Sequence, residues 1–88
     1  MNKHKDIYAK AILFFGADSQ FEKAEEELTE LLLAVKHFRS GKCEARSVAS
    51  EIADVEIMCV QLRILIVNEL VDKEKHVKLE RLERMVAG

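Results

Sequence analysis

From Phe21 to Phe38 apolar residues return at alternating steps of three and four: Phe21, Ala24, Leu28, Leu31, Val35 and Phe38. That spacing holds them on one side of a 3.6-residue helix with a bundle-like seam. Ser19 and Glu22 form an S-x-x-E capping box at its start, and Ser40-Gly41 ends it after Arg39. A second long segment, from about Glu44 to Val67, is apolar over more of its circumference. Val48, Ile52, Val55, Cys59, Leu62 and Ile66 make one stripe, and Ala49, Ala53, Val60, Ile64 and Val67 another. A helix of that kind is expected to be enclosed on several sides. Two further helices complete the pattern. One runs from Lys5 to Phe15 with Ile7, Ala11, Phe14 and Phe15 apolar, stopped by Gly16; the other follows a capping Asn68 and runs to about Val86, with an apolar edge of Leu79, Leu82 and Val86.

With no proline and three glycines, the chain has little punctuation for short strands and turns. The expected fold is all-α: four helices in a single domain over residues 1–88, an antiparallel helical bundle completed by oligomerisation. Eighty-eight residues bury a modest core, and the over-apolar third helix wants a partner.

Charge narrows the function. Sixteen acidic and 14 basic residues give a net −2, so no strong basic field exists to draw nucleic acid. A 49% hydrophobic, 34% charged composition is too apolar for disorder and too charged for a membrane protein. No apolar run is long enough to span a bilayer, and the basic start Met1-Asn2-Lys3-His4-Lys5 is not followed by a signal-peptide core, so the expected location is cytoplasmic. Cys43 and Cys59 form no disulfide or CxxC framework, and Cys59 is expected to be a buried free thiol. None of His4, His37 and His76 has a glutamate three residues before it, which excludes the usual di-iron pattern, and no phosphate-binding glycine loop is present.

The carboxylates carry more. Glu27 and Glu30 are three apart on the second helix, and Glu51 and Asp54 share that spacing on the third. A short loop between the helices lets the two pairs face one another across a hairpin. Four carboxylates in one volume repel, and burial disfavours each charge further, so the arrangement calls for a hard divalent cation. The bland reading is that Glu25, Glu26, Glu27 and Glu30 form a solvated acidic face. It fits the second helix better than the third, where Glu51 and Asp54 stand in the gap between apolar stripes beside Met58 and Leu65. Lys75, Lys78 and Arg81 on the fourth helix are candidates for contact with phosphate; the bland alternative is a solvated helix laced by Glu74–Lys78 and Glu80–Arg84 pairs.

These residues resemble a known pattern. Glu26-Glu27-Leu28-Thr29-Glu30 followed by Glu51-Ile52-Ala53-Asp54-Val55 is similar to the paired ExxE and ExxD motifs of MazG-like, all-α nucleoside triphosphate pyrophosphohydrolases. Phe15-Gly16, Gln20 and the tail from Lys78 to Arg84 resemble short, phage-type members. The resemblance implies a bundle assembled as a homodimer or homotetramer that hydrolyses a ribo- or deoxyribonucleoside triphosphate to monophosphate and pyrophosphate, for nucleotide-pool cleaning. It implies magnesium as cofactor, with manganese as the substitute ion, held by Glu27, Glu30, Glu51 and Asp54. Glu26 matches an additional acid, and Glu26 and Glu27 are the candidates for accepting the proton of the attacking water. The Lys…Asn-Arg signature of larger relatives is missing here, which leaves base preference open. Phosphoribosyl-ATP ranks lower as a substrate. The competing reading from another class is a non-catalytic helical oligomerisation or adaptor module.

Overall fold

A computed structural model describes residues 5–88, and the regular structure in them is helical throughout: α1 (Lys5–Phe15), α2 (Ala17–Arg39), α3 (Ala45–Ile66) and α4 (Asn68–Ala87). Residues 1–4, with Lys3 and His4 of the basic start, lie outside this range. No helix among the described residues is long and apolar enough to cross a membrane.

One glycine makes the first turn. Gly16 sits between α1 and α2 with φ 90°, donates to the Ile12 carbonyl at 2.8 Å and accepts from the Gln20 amide at 3.1 Å. A Cβ here would meet no neighbour, so the glycine is needed for its backbone conformation and not for space. This moves the start of α2 ahead of the expected Ser19–Glu22 capping box. Gly16 holds the N-cap position without a side-chain bond, and Ser19 falls inside the helix.

The end of α2 is closed by a Schellman motif. Gly41 takes φ 77°, its N–H donates to the Phe38 carbonyl at 3.1 Å, and the Lys42 N–H reaches back to His37 at 2.8 Å. Lys36, His37 and Arg39 in the last turn suit the negative end of the helix dipole. Residues 40–44 then reverse the chain, and the half-buried Cys43 thiol donates to the Ala34 carbonyl at 3.6 Å. From that point α2 and α3 run antiparallel as the main packed pair, with α1 lying against both.

The packed face differs from the expected seam. Its deepest residues on α2 are Gln20, Ala24 and Glu27, with Phe21, Leu31 and Ala34 partly covered, while Leu28, Val35 and Phe38 are exposed. On α3 the buried residues are Met58 and Gln61, with Val48, Glu51, Val55, Val60, Leu62 and Leu65 half-buried. The line buried between the helices therefore runs along the Glu51, Met58, Gln61 and Leu65 side of α3, with Val48, Val55 and Leu62 of the first stripe partly covered at its edge. Ile52, Ile64 and Ile66 stay exposed, and so does Cys59, which the stripe pattern had placed inside. Although α3 touches all three other helices, it is not enclosed within a single chain.

The last turn of the chain is held by a side chain. Only Val67 separates α3 from α4, and its carbonyl accepts from the Leu70 and Val71 amides at 3.1 and 3.3 Å. Arg63 Nη1 donates to Asn68 Oδ1 at 2.9 Å and to Asp72 Oδ1 at 2.7 Å. Asn68 thus accepts from Arg63 instead of capping the helix, and Val67 holds the N-cap position. Among the described residues α4 touches α3 alone and buries none of its own side chains. Glu80 pairs with His76 at 3.6 Å; neither expected lysine or arginine pair of this helix closes.

Arg63→Ala removes the clamp on this junction. It is expected to destabilise the protein by about 1 kcal/mol, the scale of a partly exposed ion pair, and to speed amide exchange at the start of α4. Unchanged melting and exchange would show that the apolar contacts of α3 with α4 suffice.

Candidate metal centre

Because α2 and α3 run antiparallel from the loop at residues 40–44, positions pair outward in order. Ala34 meets Cys43, Glu27 meets Glu51 and Asp54, and Gln20 shares a cleft with Gln61. The helical spacing that places Glu27 four residues from Lys23 and seven from Gln20 keeps all three on the α3 side of α2. On α3 the steps from Glu51 to Asp54, Met58, Gln61 and Leu65 do the same.

Glu27, Glu51 and Asp54 converge. One carboxylate oxygen from each lies within 4.8 Å of the other two. Glu27 is a buried acid, 5% exposed, and its Oε1 accepts from Lys23 Nζ at 3.3 Å. That pairing raises the Lys23 pKa, first through the hydrogen bond and then through the charges of Glu27, Glu26 and Glu30. Glu51 is half-buried, and its Oε1 is shielded from solvent without a hydrogen-bond partner. Its pKa is raised above the ordinary 4.5. Desolvation is the largest cause, followed by the charges of Glu30, Asp54 and Glu27. Asp54 is exposed, where the sequence pattern had placed it in an enclosed position.

Of the four expected ligands, three therefore meet at one point. Glu30 stands beside them, close enough to act on Glu51 but outside the mutual cluster. Glu26 is exposed on the open side of α2, in a shallow depression with Glu22, Glu25 and Thr29. Lys75, Lys78 and Arg81 are all exposed on α4. Lys75 lines a groove with Glu56, Val60 and Arg63, on the side of α3 roughly opposite Glu51 and Asp54 by helical rotation. Within one chain the cation that reaches the carboxylates is Lys23 instead.

Lys23 and Gln61 were missed in the sequence, although their spacing was visible. Lys23 precedes Glu27 by one helical turn, and Gln61 continues the Glu51–Met58 face.

The donor set is all oxygen and all anionic, which suits a hard divalent cation. The partnerless Glu51 oxygen is the local sign of fit: a buried acceptor with no donor is what a bound cation would satisfy. No protein-family model, no curated protein and no solved structure matches the chain.

The raised Glu51 pKa makes a prediction for the metal-free protein. Its folded value lies above its unfolded one, so its contribution to stability is fully present below 4.5 and is lost as pH rises through the folded value. In chelator, melting temperature relative to Glu51→Gln is expected to fall as pH is raised from about 4.5 to about 7. Parallel pH profiles for the two proteins would contradict the assignment.

Proposed function

We propose that this chain is a divalent-cation-dependent nucleoside triphosphate pyrophosphohydrolase of the MazG-like kind. The observation that carries the reading is the convergence of Glu27, Glu51 and Asp54 from two helices, with one buried Glu51 oxygen left without a partner. An adaptor module shares the exposed apolar stripes but gives no reason to pack acids between its two best-packed helices.

Glu27, Glu51 and Asp54 would hold the ion, with Glu30 adjoining them. Magnesium, when bound, would offset phosphate charge and lower the pKa of a coordinated water. Water attacks phosphorus, the α–β phosphoanhydride bond breaks, and monophosphate and pyrophosphate leave. The water's proton passes to a carboxylate, for which Glu27, in the cluster, and Glu26, on the same turn, are the candidates. Lys23, already bound to Glu27, is placed to contact phosphate if the ion takes over that carboxylate.

The working form in this reading is a homodimer or homotetramer. Leu28, Leu32, Phe38, Ile52, Ile57 and Ile64 are exposed while only Ala24 and Met58 are buried apolar residues among those described. Covering each large side chain is worth about 1.5–3 kcal/mol, so a second copy seated on these stripes would add several kcal/mol of apolar burial. Contact of Lys75, Lys78 or Arg81 with substrate phosphate would then come from a neighbouring copy.

Incubation with magnesium and a panel of ribo- and deoxyribonucleoside triphosphates is expected to release pyrophosphate. Glu51→Gln and Asp54→Asn should lower the rate by at least about 100-fold, since charge stabilisation by a metal is worth several kcal/mol. Glu26→Gln separates the two base candidates: lost turnover with metal binding intact assigns the role to Glu26. No release from any triphosphate, with both ligand variants melting as wild type does in magnesium, would favour the adaptor.

A further inference from the structure

The chain contains two glutamines, Gln20 and Gln61, and both are only 5% exposed. Glutamine is ordinarily a surface residue, and burying its amide without partners is costly. Gln61 Oε1 is shielded from solvent and has no hydrogen-bond partner. Both side chains line one cleft of about 430 Å³ between α1, α2 and α3, whose other walls are Ala11, Phe15, Ser19, Lys23 and Met58. That volume falls within the range of small-ligand pockets, and apolar walls with a few polar groups are their usual lining.

The cleft adjoins the carboxylates. Lys23 belongs to both, as a wall of the cleft and as the partner of Glu27 at 3.3 Å. A ligand with an anionic end at the acids and a planar polar end in the cleft would span one continuous site.

We propose that this cleft holds the nucleobase of the substrate, with Phe15 and Met58 against the ring and the amides of Gln20 and Gln61 reading its donor–acceptor edge. The identity of the ligand rests on the pyrophosphohydrolase reading. An amide is suited to the task because it offers a donor and an acceptor side by side. The Gln61 oxygen, now turned inward, comes to the cleft by rotation about χ3, a soft torsion. Gln61 can thereby present either oxygen or N–H₂, and the group it presents sets which base is preferred. Tight discrimination follows where a mismatched base would leave a buried amide unpaired.

Side-chain amide signals in a ¹⁵N-labelled sample test this directly, because Asn2 and Asn68 are the other carboxamide side chains. The probes are millimolar nucleosides, titrated one at a time, and magnesium pyrophosphate, titrated separately. One base is expected to shift the Gln20 and Gln61 amide signals more than the rest. Gln61→Leu should weaken that binding by about 10-fold or more while leaving magnesium pyrophosphate binding unchanged. Phe15→Ala, at an exposed position that does not threaten the fold, should weaken all bases together. Nucleosides that leave both amides unmoved, or that bind Gln61→Leu as tightly as wild type, would overturn the proposal. Nucleosides that move the amides while magnesium pyrophosphate fails to bind would uphold the base site and overturn the metal-dependent reading.

Discussion

Two helices can pack through carboxylates only if something offsets the repulsion between them. Here α2 and α3 bring Glu27, Glu51 and Asp54 within 4.8 Å of one another, and Glu30 adds a further charge beside Glu51. Within the chain two devices soften this. Lys23 supplies a cation to Glu27, and Glu51 gains a raised pKa that favours its neutral form. Neither gives the buried Glu51 oxygen a donor. In the proposed reading a divalent cation does so, and folding and ion binding are coupled through the same contacts.

That constraint accounts for the inverted look of the packing. The line where α2 meets α3 is polar for much of its length, from Gln20 and Gln61 at one end through the acids. Several large apolar side chains of both helices, among them Leu28, Leu32, Phe38, Ile52 and Ile64, point elsewhere, and α4 leaves Leu79 and Leu82 exposed. A site set into the best-packed interface is rigidly held, which suits chemistry that depends on positioning. In the proposed reading, the apolar burial given up there is recovered between copies through the exposed stripes.

Much of this was legible in the sequence because helical periodicity is a local property. The four helices, the turn at Ser40-Gly41 and the meeting of Glu27 with Glu51 and Asp54 follow from spacing and one short loop. What spacing does not specify is which stripe packs within the chain. Apolar pattern marks the face that prefers burial, and for Leu28, Ile52 and Cys59 that face is not the one α2 and α3 share. The capping box at Ser19 failed for a different reason: a glycine three residues earlier could adopt the turn and start the helix sooner. Where Lys75 stands relative to the acids within one chain was not legible, because it depends on how α4 leaves α3 at Val67, a tertiary feature held by Arg63.

Paramagnetic broadening by manganese tests the central claim most directly, since it reports where an ion sits without requiring turnover. Substoichiometric Mn²⁺ added to ¹⁵N-labelled protein should first erase backbone signals around residues 26–31 and 50–55, and excess magnesium should restore them. Broadening spread evenly over Glu69, Glu74, Glu80 and Glu83 as well, with no preference for the α2–α3 acids, would contradict the account and leave the cluster as an unspecific acidic surface.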